Sequence, residues 1–389
     1  MSSNRKKSKA VPIVLVITLL VAALAAGAFL LRPVITDPIR RNAAKEMAAQ
    51  YEAVDKQNAE NQQKYQQALA DLREQANKPK ENPEWPEPEK KEGWEIVDLS
   101  TFPLESATAE HTTRADVMNN GLLLVNAFHA RPDDFNDADP NIVSIGRYLG
   151  GNTKVQVTNY NLSLFKVAAD ALLKVITDAK AEGMDHYLVE GAYRSYADQQ
   201  KLFNDKVAAL ESKYKDQNAR EAAAEKEVNR PGMSEYNTGL AFTMRLYDKD
   251  DKEVGAAKYS TTPQAAWMNE NCWKYGIVFR FPLQDWPTVG TLDKTFKTGV
   301  SMRLNVYRYV GEGSATVMHL MDFCLEEYIE YLAEHPHIAV YYNGERVYEI
   351  YRQYVGDANE FDVLLTPSSS HISSLDNMGA VITVFSFNQ

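Results

Sequence analysis

From Val11 to Leu31 the chain carries no charged residue and almost no polar one. At a rise of ~1.5 Å per residue, such a run is about as long as a bilayer's hydrocarbon core is thick. It fits neither a surface helix nor a strand of a water-soluble fold, so it is expected to be a transmembrane helix. Arg5, Lys6, Lys7 and Lys9 precede it. They favour a cytoplasmic tail over residues 1–10 and, beyond the span, an extracellular C-terminal region on a single-pass membrane protein. Arg32, Arg40, Arg41 and Lys45 on the far side blunt that asymmetry. A cleaved signal peptide ending near Ala23-Leu24-Ala25 is the competing reading. Against it, Phe29, Leu30 and Leu31 prolong the apolar run past that site.

Residues 32–77 follow as a predicted helical stalk, because from Ile39 to Ala76 the chain is rich in Ala, Gln, Glu and Lys without a glycine or internal proline. Met47, Tyr51, Val54, Tyr65, Leu69 and Leu72 recur at helical steps, interrupted by Asn58 and Asn61. Both a solvated single helix and self-association as a coiled coil agree with that pattern. Pro79, Pro83, Pro86 and Pro88, interleaved with charges, predict a stiff linker over 78–95.

Charge and sulfur content exclude several functions. There are 42 basic and 53 acidic side chains, for a net charge of −11, and no long basic tract. Nothing is available to neutralise a phosphate backbone, so nucleic acid is not an expected partner. Cys272 and Cys324 are too few for a disulfide framework or a cysteine zinc cluster, although one long-range bond between them stays open. The histidines, His111, His129, His186, His319, His335, His337 and His371, nowhere show the H-E-x-x-H spacing. His319 falls in an apolar helical pattern over Thr316 to Phe323 and is expected to be satisfied locally.

Past Trp94 the pattern is α+β. Leu122 to Val125 and Tyr187 to Val189 read as short buried strands, and Leu162 to Ala181 carries apolar residues at helical spacing up to Gly183. A second helix is predicted from about Asp198 to Tyr214, with Ser195 as its N-cap. Ile338 to Tyr342 and Arg346 to Tyr351 flank Asn343-Gly344, a strong hairpin signal. With a last strand over Val381 to Phe387, residues 336–389 are expected to be a β appendage behind a main domain over 96–335. Trp267, Asn271, Tyr275 and Gly276 read as packing and a helix stop. Asp248, Asp250, Asp251 and Glu253 read as an acidic surface turn, since they lack the spacing of a calcium loop.

Four blocks carry a family likeness: Tyr193-Arg194-Ser195 with Gln199 and Leu202-Phe203; Pro231-Gly232-Met233-Ser234-Glu235-Tyr236-Asn237-Thr238-Gly239-Leu240-Ala241; Trp267 to Pro282; and Arg308-Tyr309-Val310-Gly311. They resemble the VanY-type D-alanyl-D-alanine carboxypeptidases, zinc peptidases that trim peptidoglycan stem peptides. The resemblance implies a VanY-like D,D-peptidase domain, a small antiparallel sheet with flanking helices. It also implies a zinc held by two histidines and an aspartate, with a glutamate as base. At those four positions this chain has Tyr236, Val306, Thr243 and Arg303. Valine cannot coordinate a metal and threonine is a poor ligand, so the resemblance implies zinc while the residues offer no set to hold it, and no cofactor is expected.

Arg194, Ser195, Gln199 and Ser234 match family positions that imply substrate contact, and arginine suits a peptide carboxylate. Ser195 as an N-cap and Arg194 as an ion-pair partner are equally open as structural roles. Arg303 is either a new holder of a peptide's terminal carboxylate or a side chain in solvent or paired with Glu235. The leading expectation is a membrane-anchored, catalytically inactive relative that binds peptidoglycan stem peptides. An active peptidase with a non-standard site and an envelope protein-interaction module with a filled groove are the alternatives.

Overall fold

The computed structural model describes residues 91, 93–149, 155–300 and 302–387, with the isolated positions 45, 56 and 67. The chain divides into two units, 1–84 and 85–389, and the elements below belong to the second. The membrane helix expected over 11–31, the stalk over 32–77 and most of the linker over 78–95 lie outside the described residues. Among those described, no helix is long and apolar enough to cross a membrane.

In chain order the strands among the described residues are β1 (Trp94–Asp98), β2 (Thr108–Thr113), β3 (Ile142–Ser144), β4 (Gln156–Val157), β5 (Ser163–Phe165), β6 (Tyr187–Gly191) and β7 (Ala241–Leu246). They continue as β8 (Ile277–Phe279), β9 (Val306–Tyr309), β10 (His337–Tyr342), β11 (Glu345–Tyr354), β12 (Glu360–Leu365), β13 (Ser370–Leu375) and β14 (Ala380–Ser386).

The site is built on a sheet of order β4-β6-β7-β9-β8. It corrects the antiparallel expectation in one respect: β4 runs parallel to β6, while the other pairs are antiparallel. The chain between β4 and β6 includes the helix Lys166–Ala181, long enough for the crossover that a parallel pair needs. That helix buries Ala168, Leu172, Val175, Ile176 and Ala179, three or four residues apart. They share one core with Phe242, Met244 and Tyr307 of the sheet. Tyr187, Leu188 and Val189 are all buried, the mark of an inner strand covered on both faces.

A second sheet has the order β1-β10-β11-β14-β13. Its central hairpin turns at Asn343 and Gly344, with φ of 51° and 84°, the pair of left-handed residues that a tight turn of this hand requires. Residues 336–389 are not the separate appendage expected from the sequence. β1, from the start of the domain, is their edge strand, in register from Trp94↔Tyr342 to Asp98↔Ile338. β12 pairs with β2 rather than with its neighbours in sequence. The helices Glu312–Met321 and Leu325–Glu334 bury Val317, Leu320, Tyr328 and Ile329 against Ile338, Ile350 and Ile382. A boundary at 335 would cut through that core, and the expected linker gives up Trp94 and Glu95 to β1.

Two smaller expectations also change. Leu122–Val125 is buried but pairs with no strand. Its backbone is satisfied elsewhere: Arg308 Nη2 donates to the carbonyls of Gly121 and Leu123 at 3.0 and 2.8 Å, and Leu122 N donates to Ser374 Oγ at 3.1 Å. The helix predicted to reach Tyr214 spans Tyr196–Ala209.

Candidate functional site

β6 ends at Gly191 and the chain turns through Tyr193-Arg194-Ser195 into the helix Tyr196–Ala209. Ser195 is the N-cap, its Oγ accepting from Asp198 N at 3.1 Å. One turn into the helix, Gln199 is buried and donates from Nε2 to Asn229 O at 2.7 Å. Arg194 reaches back to Gln199 Oε1 at 3.4 Å and lays its guanidinium 4.5 Å from the centre of the Tyr236 ring. Asn237 fixes the pairing of the two segments, donating from Nδ2 to Arg194 O at 2.8 Å while its Oδ1 accepts from Ser234 N at 3.2 Å.

The one-turn helix Glu235–Thr238 closes on Gly239 and hands the chain to β7. Tyr236 on that turn and Thr243 on β7 then face one another, Oη to Oγ1 at 2.5 Å. Thr243 pairs with Val306 of β9. The three positions at which the resemblance implies zinc ligands therefore meet in space. A tetrahedral zinc needs nitrogen, sulfur or oxygen donors free to face it. Here a phenol is bonded to a hydroxyl, and an isopropyl group stands third, so the residues do not fit the metal. Among the described residues, no group of three His, Cys, Asp or Glu side chains is placed to hold a metal ion.

Beside this closed patch is an open cavity of about 400 Å³ whose wall includes Arg194, Gln199, Ser234, Tyr236, Met302 and Arg303. Thr243 and Val306 are not on that wall. The groove is thus not filled, which removes the support for the interaction-module reading; Phe242 is buried against Tyr307 instead. Burial lowers the pKa of Arg194, with the positive charge of Arg303 acting in the same sense. Among the described residues no carboxylate forms the expected ion pair with Arg194. Nor does Arg303 pair with Glu235; it is exposed at the cavity rim.

Glu235 is buried and committed elsewhere. It accepts from Arg280 Nε at 2.6 Å and from Arg308 Nη1. Arg280 in turn grips Glu326 bidentately, at 3.0 and 2.7 Å, and Asn126 Nδ2 donates to the same carboxylate at 2.8 Å. Burial pushes Glu326 upward, but the Arg280 guanidinium outweighs it and leaves the carboxyl below its ordinary value. Sequence reasoning missed this network. Its signal was an arginine inside each of two apolar strand runs, around Phe279-Arg280-Phe281 and Tyr307-Arg308-Tyr309, where a buried charge demands carboxylates.

The histidines and cysteines are not part of the site. None of the seven histidines lines the cavity. His319 stacks on Trp273 at 4.4 Å, and burial lowers its pKa to about 4. Cys272 and Cys324 are free and buried, with the Cys272 thiol pushed up to about 12 by burial. Asp248 and Asp251 accept from the backbone of Asp250 and Glu253, as an acidic turn should. Gly276 ends its helix at φ 72°, where a Cβ would meet Glu312 N at 2.8 Å.

Residues 161–292 match the family described as VanY: D-alanyl-D-alanine carboxypeptidase. The match contains Arg194, Tyr236 and Thr243 and ends before Arg303 and Val306. The putative carboxypeptidase YodJ of Bacillus subtilis (strain 168) is 31% identical over 237 residues, which are 59% of this chain and 77% of that one. A D-alanyl-D-alanine carboxypeptidase of Enterococcus faecium is 28% identical over 289 residues, 72% of this chain and 82% of that one. In fold, the chain is similar to the vancomycin resistance D,D-dipeptidase VanXYg, solved with a D-Ala-D-Ala phosphinate analog, at a TM-score of 0.54 and 19% identity, over 72% of this chain and 100% of the other. The chain belongs to the VanY D-alanyl-D-alanine carboxypeptidase family.

Proposed function

We propose that this protein is a catalytically inactive member of its family that holds a peptidoglycan stem peptide in the cavity beside Tyr236, on a domain anchored to the outside of the cell membrane. The observation that carries the first half is the 2.5 Å bond between Tyr236 and Thr243 opposite Val306, which occupies the place where the resemblance implies a metal. The cavity itself stays open, and Arg194, Gln199 and Ser234 stand on its wall. A guanidinium, a carboxamide and a hydroxyl together match the carboxylate and backbone groups of a peptide. The apolar run Val11–Leu31 after a basic tail supports the anchor, and the Ala- and Glu-rich segment after it supports a spacer that also lets copies associate. Against the alternative of an active enzyme, Glu235 is held by two arginines, Glu225 and Glu227 are paired with Arg230 and Lys206, and Cys272 is buried away from the cavity wall.

The full chain, purified in detergent, is expected to carry no stoichiometric zinc and to release no D-alanine from acetyl-lysyl-D-alanyl-D-alanine, while binding that peptide. One equivalent of zinc together with steady turnover would overturn the proposal.

A further inference from the structure

A second cavity, of about 310 Å³, shares no wall residue with the one at Tyr236 and is made of acceptors. Asp116, Asp134 and Asp139 stand on its wall with the carboxamide of Asn119, and among the described residues no lysine, arginine or histidine does. Arg114, from outside that wall, pairs with Asp134, Nε to Oδ2 at 3.0 Å. Asp116 accepts from Thr113 Oγ1 at 2.6 Å and Asp139 from Asn141 N at 2.7 Å, both uncharged donors, and neither has a cation within ion-pair distance among the described residues. Asn119 is 4% exposed while Asp116 and Asp134 are open to solvent, so the carboxamide is the floor and the carboxylates are the rim. The amide cannot be turned end for end, because its Nδ2 donates to Thr238 O at 2.5 Å and a carbonyl only accepts. Oδ1 is therefore a buried acceptor to which no group among the described residues donates. A buried carbonyl oxygen demands a donor.

We propose that this second cavity binds a primary alkylammonium ion, the chemistry shared by a lysine side chain and a free diamine. An ammonium group has three N–H donors and no acceptor, the complement of a wall that has acceptors to spare. One N–H serves Asn119 Oδ1, and the others are left for the carboxylates, where the positive charge makes those bonds strong. The same charge offsets Asp116 and Asp139. The methylenes behind it lie along Phe135 and Phe165, two buried rings on the same wall with centres 6.2 Å apart. A metal ion suits the wall less well, because among the described residues no three carboxylates converge to hold one. A quaternary ammonium has the charge but no N–H, and so leaves Asn119 Oδ1 without a donor.

Calorimetric titration of the full chain in detergent, near neutral pH and at low salt, tests this with pentylammonium, pentyltrimethylammonium and pentanol. Pentylammonium is expected to bind at least about tenfold more tightly than either of the others, a gap set by the usual strength of charged hydrogen bonds. The double variant Asp116→Asn, Asp139→Asn is expected to lose at least about tenfold in that affinity. Its melting temperature without amine should be unchanged, since asparagine keeps the oxygens that accept from Thr113 and Asn141. Acetyl-lysine amide and cadaverine then separate the two sources, and the tighter of them names the one the cavity serves. Equal affinity for pentylammonium and pentyltrimethylammonium would overturn the proposal by reducing the cavity to a patch of negative charge. Displacement of pentylammonium by an equal concentration of calcium would overturn it in favour of a metal site. Undiminished affinity in the double variant, or no binding of pentylammonium at millimolar concentration, would overturn it outright. None of these outcomes bears on the cavity at Tyr236.

Discussion

Tyr236, Thr243 and Val306 come from a one-turn helix and two strands, and the ladder between β7 and β9 fixes two of them side by side. Their convergence is a property of the backbone, so the side chains can be exchanged without losing it. The triple substitution Tyr236→His, Thr243→Asp, Val306→His is expected to bind about one zinc per chain, against none expected for the wild type, as atomic absorption after gel filtration would measure. Peptidase activity should stay absent until Arg303→Glu is added, because a bound metal still needs a group to move the proton. The cysteines yield a second expectation at this scale. Burial holds the Cys272 thiol up near 12 and Cys324 is equally enclosed, so neither should react with a thiol reagent in the folded protein, and both should on unfolding.

Strands β9, β10 and β11, the segment after β8 and the helices Glu235–Thr238 and Leu325–Glu334 carry buried charges. Arg280 is wholly enclosed with Glu235 and Glu326, and removing it leaves Glu326 buried with no cation, only Asn126, and Glu235 with Arg308 alone. Arg280→Met is therefore expected to cost about 3–5 kcal/mol in chemical denaturation, far more than a surface substitution. In the second sheet, His337 Nε2 lies 2.8 Å from Glu349 Oε1 and its Nδ1 lies 2.9 Å from Phe102 O. Both ring nitrogens face acceptors, which favours the imidazolium. Burial opposes that charge, but Glu349 and the Phe102 carbonyl outweigh it and hold the pKa above 6.5. A raised histidine stabilises fully below its unfolded value and loses that contribution as the pH rises through the folded one. The stability gap between wild type and His337→Gln should be widest near pH 6 and shrink toward pH 9, measured as the difference in melting temperature. A gap that does not change with pH would assign His337 to packing alone.

At the scale of the molecule, what could be read from the sequence followed from local rules. The Tyr187–Val189 strand, the Ser195 cap, the Gly276 stop and the Asn343-Gly344 hairpin each depend on neighbours a few residues away, and each forms as expected. The convergence of Tyr236, Thr243 and Val306 was legible because a motif fixes their spacing. What stayed hidden depends on distant partners. Nothing in the stretch around Arg280 names Glu235, 45 residues earlier, or Glu326, 46 later. Nor does Trp94 announce that it will lie beside Tyr342, and the expected appendage dissolved for that reason.

The edge position of β1 has a mechanical consequence. The domain's N-terminal strand is fastened by an antiparallel ladder running from Trp94↔Tyr342 to Asp98↔Ile338. Trp94 is wedged between Trp273, with ring centres 5.9 Å apart, and Tyr342, at 4.6 Å. A tug arriving along the axis of β1 from the residues before it loads all of those rungs in shear at once, and they must yield together. A sideways tug meets only the Trp94 end and peels the ladder rung by rung. The fold is thus a strong hitch in one direction and a weak one in the other.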